Sequence, residues 1–363
     1  MRPQPIPASL LLLSLALLSF PAIANAGVKV FDSPDHTLEL GMRVQPRIEY
    51  EMVPTGASSS EARRDFLIRR ARLKANGKML GVAYCFEWKI DGTDQFGATP
   101  AAAVENAWFQ YPLTKALELR VGLYDQPFSR DRLTSDSRQL AVDRGAVSNV
   151  PDALGLADNA VGFHFYGKTK DLKFQYAIGL YDNRFIPANR QDLPMVVGRM
   201  EVNLGSTKDV YQDAHFGEDR WYSFGVNGSY HSSLENAAGV DDSTHAAAGV
   251  DGMVDLPFGK RRLLVRGEMN AIRTEWIGVN QENNTTVKMI EAGVLFRQVF
   301  QPFIRFDQVR GNNWVGGGRR DITYVGANFY QRGHSLKIQG DVRMQSGTTD
   351  AVDGVRLQSQ IDF

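Results

Sequence analysis

The feature that most constrains this chain is an alternation of apolar and polar side chains that begins near Thr37 and is still running at Phe363. It is clearest from Arg64 to Ile90, RDFLIRRARLKANGKMLGVAYCFEWKI. In the first run Leu67, Ala71, Leu73 and Ala75 share one face, and Arg70, Arg72 and Lys74 share the other. In the second run Leu80, Val82, Tyr84, Phe86, Trp88 and Ile90 form an apolar row opposite Gly81, Ala83, Cys85, Glu87 and Lys89. Successive side chains on a strand point to opposite faces, so such a strand is greasy on one side and polar on the other. Asn76-Gly77, between the runs, predicts the hairpin turn.

One hairpin of this kind also suits a soluble sandwich that sends its arginines to water. Recurrence changes the balance. Leu117, Leu119, Val121 and Leu123 alternate with Glu118, Arg120, Gly122 and Tyr124, and Leu336, Ile338, Val342 and Met344 alternate with Lys337, Gln339, Arg343 and Gln345. A water-soluble barrel would have to desolvate those charges in its core at heavy cost. With lipid outside and water inside, every strand is satisfied. The pattern predicts an all-β fold: a transmembrane antiparallel β-barrel of about 16 strands, from Thr37–Val53 to Val352–Phe363. Links alternate in length, with short ones such as Pro112–Ala116 and Leu256–Lys260 and long ones such as Gly92–Ala102 and Asn183–Pro194. Short periplasmic turns at one rim and longer extracellular loops at the other are the expected arrangement. Gly205–Arg220 departs from it, being too long for a tight turn.

The first 26 residues read as a signal peptide, with Arg2, an apolar Leu10–Phe20 core and an Ala24-Asn25-Ala26 cleavage site. Residues 27–363 then form a single barrel domain. Without Arg2 the domain holds 40 basic against 41 acidic residues, so no basic excess points to nucleic acid. After Ala26 no apolar run reaches the ~18 residues of a membrane helix, as expected where strands do the spanning. Cys85 is the only cysteine, so no internal disulfide is possible. The six histidines show no metal-ligand spacing, and no Walker loop, G-x-S-x-G or G-x-G-x-x-G is present, so neither a metal nor a cofactor is expected. Tyr50, Trp108, Tyr111, Trp221 and Trp276 fall near strand ends, where interfacial aromatic belts or hairpin packing place such rings.

The longest connection, Asp125–Asp158, interleaves Arg130, Arg132, Arg138 and Arg144 with Asp131, Asp136 and Asp143. It reads either as a solvated mixed-charge loop at the rim or as a constriction folded into the bore that filters solutes by size and sign.

FLIRRARLKANGKMLGVAYCFEWKIDG, ALELRVGLYDQPFSRDRLTSDSR and NAVGFHFYGK resemble the phosphate-selective porin O and P family. FGVNGSYH, RRDITYVGANFY and the terminal strand extend the resemblance over nearly the whole mature chain. It implies a sixteen-stranded homotrimer in the Gram-negative outer membrane, surrounded by its lipids, passing small anions such as phosphate through a basic bore. Arg69, Arg70, Arg72 and Lys74 match the family's basic strand. Arg120, Arg130, Arg132, Arg138, Arg199, Arg266, Arg305 and Arg343 complete the expected pore-lining, anion-binding set, extended by Lys337 and Arg356. Glu87, Glu118, Glu201, Glu268, Asp307, Asp341 and Asp362 fall on the same face, which favours weak over strong selectivity. Terminal Phe363 closes an alternating strand, the signature read by the barrel assembly machinery. Three other readings remain: a non-selective general porin, a soluble secreted β protein, and an outer-membrane lipase or protease. For the last of these, Ser229 and His231 are the nearest candidate pair.

Overall fold

The computed structural model describes residues 27–363 apart from 57–58, 92–100, 170, 172, 183–190, 193, 206–209, 218, 235–242, 277–280, 312–317 and 348–352. Residues 1–26 and most of two predicted long-rim loops, 92–100 of Gly92–Ala102 and 183–190 and 193 of Asn183–Pro194, lie outside the described residues. The first strands are β1 (Val28–Asp32), β2 (His36–Gly56), β3 (Ser59–Met79), β4 (Val82–Asp91), β5 (Ala101–Pro112) and β6 (Leu117–Asp125). Next come the short helix α1 (Arg130–Leu133), a 3-10 turn at Asp136–Arg138 and helix α2 (Ala146–Ala153). Then follow β7 (Asn159–Lys168), β8 (Phe174–Tyr181), β9 (Gln191–Asp192), β10 (Met195–Leu204), β11 (Trp221–Leu234) and β12 (Ser243–Phe258). The last are β13 (Arg261–Trp276), β14 (Gln281–Phe296), β15 (Phe300–Gly311), β16 (Arg320–Arg332), β17 (Leu336–Gly347) and β18 (Asp353–Asp362).

Each strand pairs antiparallel with its neighbours, and β18 pairs back onto β2 from Asp353↔Met52 to Asp362↔Arg43. The ring is a closed sheet of 16 strands. Two short strands add to it: β9 lies on β11 above β10, and β1 continues the sheet along β2 where β18 ends. Closure removes the exposed edges that an open sheet would offer other chains.

The apolar row faces outward as the alternation requires. Leu73 is 52% exposed, Trp88 48%, Phe224 57% and Ile304 53%, whereas their strand neighbours Arg72, Glu87, Ser223 and Arg305 face inward. Leu80 and Phe174 are exposed and Ile338 is half-buried on the outer surface, so no dry centre gathers them.

Three local expectations are corrected. The β3–β4 turn is Leu80-Gly81, with φ of 51° and 85°, and not Asn76-Gly77. Asn76 sits in the ladder opposite Cys85, and Gly77 opposite Tyr84. A side chain at Gly77 would collide with the Thr37 carbonyl and the Tyr84 hydroxyl, which itself donates to Thr37 O at 2.9 Å. The glycine is there for close backbone approach, and turning at Asn76 would strip His36–Leu38 of the partners they have in Gly77–Met79. Second, Leu67 does not share a face with Leu73. A bulge opposite Gln45 and Pro46 leaves Arg69 out of the ladder and switches the phase, so Leu67 is buried inside while Phe66 and Ile68 face out. Third, Trp108 and Trp221 leave the aromatic belt: Trp108 lies under the Arg120 guanidinium and Trp221 is buried against His215. Tyr50 and Tyr111 do face outward.

Candidate functional site

The inward face carries the charges, and the chain's own loop is their main partner. Asp125–Asp158 does not stand in solvent. Phe128, Leu140, Val147 and Leu156 are fully buried in it, and so are Ser129 and Asp131. Its neck is closed by Arg132, whose guanidinium reaches Asp125 (2.9 Å), Asp152 (3.3 Å) and Asp158. Burial alone would lower Arg132, but Asp125 and Asp152, with Asp136 and Glu105, outweigh it and hold the group above its ordinary range. Ser129 caps α1 by accepting from Arg132 N at 3.3 Å, and Asp131 accepts from Gly145 N at 2.9 Å, joining the two halves of the loop.

Wall and loop exchange charges reciprocally. Loop arginine Arg130 pairs with wall carboxylates Glu201 (2.9 Å) and Asp251 (2.8 Å). Loop carboxylate Asp131 pairs with wall Arg266 at 2.8 Å, which also binds Glu291 and Asp213. Asp136 is bound by Arg70 (3.0 Å) and Arg72 (3.2 Å) of β3 and by Arg144 of the loop. Four wall arginines surround Asp143: Arg47 at 2.7 Å, Arg356 at 2.8 Å, and Arg69 and Arg70 at 3.6 Å. Burial would raise both of these loop carboxyls, but the arginines outweigh it and hold them well below the usual range, ionised across the physiological span.

Between the staples the bore wall is apolar. Val147 and Val150 of α2 pack on inward-facing Ile272, Val287, Met289 and Val309, and Leu140 packs near Met253, Leu264 and Phe303. The segment 205–220 also turns inward. Asp213 N donates to Arg138 O at 3.0 Å, and its carboxylate accepts from Leu140 N at 3.0 Å.

Of the residues the sequence singled out, Arg69, Arg70, Arg72, Arg130, Arg199, Arg266 and Arg305 converge on the loop or its docking surface, each beside a carboxylate. Arg132 binds within the loop, and Arg138 lies in its 3-10 turn. Arg343 pairs with Glu51 at 3.2 Å. Lys74 is exposed on the inner face near the short-turn rim. Arg120 stacks on Trp108, its carbon centre 4.2 Å from the ring.

Sequence reasoning missed Arg47, although it shares a face with Arg43 and Gln45, and it missed Asp213, which no periodic signal marks. The inward apolar patches were also missed, because an apolar residue on the polar side of an alternation reads as noise until the loop that covers it is in place. Ser229 and His231 share the inner face of β11, but among the described residues the buried Ser229 hydroxyl has no hydrogen-bond partner, so the pair is not hydrogen-bonded. Among the described residues no group of three or more His, Cys, Asp or Glu side chains is arranged to hold a metal ion.

The model of the family described as phosphate-selective porin O and P matches residues 40–191. An uncharacterized protein of Aquifex aeolicus (strain VF5) is 23% identical over 342 residues, covering 83% of this chain and 80% of its own. Among solved structures, an anion-selective porin from Comamonas acidovorans superposes with a TM-score of 0.64 at 13% identity, covering 91% of this chain and all of its own. The outer-membrane channel DcaP of Acinetobacter baumannii gives 0.56 at 11% identity over 93% of this chain and 100% of its own. The trimer form of OmpT, an outer-membrane protein of Vibrio cholerae, gives 0.57 at 11% identity over 91% of this chain and 100% of its own.

Proposed function

We propose that the chain is an outer-membrane porin, a non-enzymatic channel through which small hydrophilic solutes diffuse passively, with a preference for anions of the phosphate class. The observation that carries this reading is the inside-out sidedness of a closed sheet: apolar rows outside, and charged rows inside around a docked loop. Lipid solvates the first and water the second, so the only path for a hydrophilic solute lies along the inner wall.

The loop Asp125–Asp158 sets the cross-section. The arginine wall of β2, β3 and β18 sets the sign of the field, since a ring of guanidinium groups lowers the barrier to anions and raises it to cations. Asp136 and Asp143 offset part of that field, so the expected selectivity is a bias and not an exclusion. The phosphate selectivity of the matched family and the anion selectivity of the Comamonas porin support the anion preference. The trimeric Vibrio protein supports a homotrimer. We extend the reading to export through the leader 1–26 and to recognition of Phe363 by the barrel assembly machinery. Phe363 lies at the seam, its N–H donating to Met42 O at 3.0 Å.

Purified protein in planar bilayers under a KCl gradient tests this. Stepwise conductance is expected, with a reversal potential of the sign set by chloride and a chloride current reduced by added phosphate. Absence of conductance sinks the porin reading. A cation-signed reversal potential sinks the anion preference.

A further inference from the structure

Arg120 of β6 stands apart from the arginines that staple the loop. Its partners are the Gln110 side-chain oxygen, which accepts from Nε at 2.8 Å and from Nη2 at 2.5 Å, and the rings of Trp108 and Tyr124. Among the described residues it forms no ion pair. A guanidinium has five N–H donors, and three of those on Arg120 have no acceptor among the described residues. Glu118, two residues away on the same face, is kept off it by Gln110, whose amide nitrogen donates to that carboxylate. The guanidinium borders a cavity of about 390 Å³ between the inner loop and the wall of β5–β8 and β10. Lys168, at the short-turn end of β7, lines the same cavity with its ammonium 5.3 Å from the Tyr166 ring centre. Tyr124, Tyr166 and Tyr211 supply aromatic surface and Gln175 supplies an amide, while the lining carboxylates Asp125 and Glu201 are already paired with Arg132 and Arg199.

A largely enclosed cation without a protein counter-charge is costly unless something supplies the charge. Arg130, Arg199, Arg266 and Arg305 meet that demand with carboxylates of this chain, whereas the described residues supply none at Arg120. We propose that this off-axis cavity is a binding site for a small organic carboxylate with a planar apolar body, held by the Arg120 fork and packed against the tyrosines, and entered past Lys168 from the short-turn side. A carboxylate matches the planar fork in bidentate fashion. An aromatic body matches the walls by ring stacking, which inorganic phosphate cannot do. The site rests on the porin reading and deepens it by naming a solute class beside the small inorganic anions.

Benzoate is the probe, with acetate and phosphate as comparison arms. In wild-type channels, benzoate on the short-turn side is expected to reduce chloride current at concentrations where acetate does not. Arg120→Gln is expected to weaken that block by about 10- to 100-fold, the worth of a lost charge-assisted pair. Equal block by acetate, stronger block by phosphate than by benzoate, or undiminished block in Arg120→Gln overturns the site while leaving the porin standing. A wild type that does not conduct would instead strike at the porin. A second readout needs neither conductance nor that variant: benzoate should quench Trp108 emission in detergent-solubilised wild type, with the quench lost in Trp108→Phe. Quenching that persists in Trp108→Phe, or none in wild type, also overturns it.

Discussion

Replacing Asp143 with Asn removes one negative charge from the middle of four arginines, the nearest at 2.7 Å. The loop should stay docked, because Asp136 still holds Arg70 at 3.0 Å and Asp131 still holds Arg266 at 2.8 Å. Arg356 also retains Asp341 at 2.7 Å, so neither it nor the loop loses every partner. What changes is the field. For an ion about 8 Å away, roughly one Debye length, a unit charge is worth about 0.5 kcal/mol in bulk water and about 2 kcal/mol at an effective dielectric of 20. The anion gains what the cation loses, so even the lower figure moves the chloride-to-potassium permeability ratio about fivefold. The assay is the reversal potential of single channels across a KCl gradient, wild type against Asp143→Asn, at two salt concentrations. A ratio that stays put or moves toward potassium would refute the argument that Asp143 offsets the arginine field. A shift of equal size at high salt would point to loop rearrangement instead of electrostatics.

Further outcomes follow from the same geometry. Arg266→Met leaves Asp131, Asp213 and Glu291 gathered in the bore without their shared cation, and should cost about 3–5 kcal/mol as a broken buried ion-pair set. A lower temperature for the gel shift from folded to unfolded barrel would report it. Leu80→Asn puts a left-handed-tolerant residue at the first turn position, where Leu80 now sits at φ 51°, and should add about 1 kcal/mol, read as a higher urea midpoint in vesicles. Asp143 and Asp136 have depressed carboxyl values, so their share of loop docking is present above about pH 4 and is lost only as pH falls through those lower values. The share of the chloride-to-potassium ratio owed to Asp143, taken as the difference between wild type and Asp143→Asn, should therefore be flat from pH 7 to about 4. Burial, with repulsion from Glu291 and Asp131, pushes Asp213 up to about 7 against the pull of Arg266. Docking of the 205–220 segment should therefore weaken as pH rises from about 4 toward 7, seen as faster amide exchange at residues 210–217.

The barrel was legible in the sequence because alternation is a local property: each strand carries its own record of which face meets lipid, and sixteen records agree. The size of the inner loop and its charges were legible for the same reason. What the sequence could not hold is pairing at a distance. Whether Asp143 faces water or Arg47 and Arg356 depends on where a 34-residue loop settles against strands far from it in the chain. The Asn76-Gly77 signal failed similarly, since a turn preference worth about 1 kcal/mol yields to a ladder that keeps Gly77–Met79 paired with β2. Leu264, Met289 and Phe303 interrupt a polar face, and only the packing of α2 and Leu140 accounts for them. Local alternation thus determined the sheet and its two solvents. Only the folded bore decided which charges neutralise one another and which, like Arg120 on Gln110 and Trp108, meet no carboxylate among the described residues, because Coulomb energy depends on distances that sequence spacing does not record.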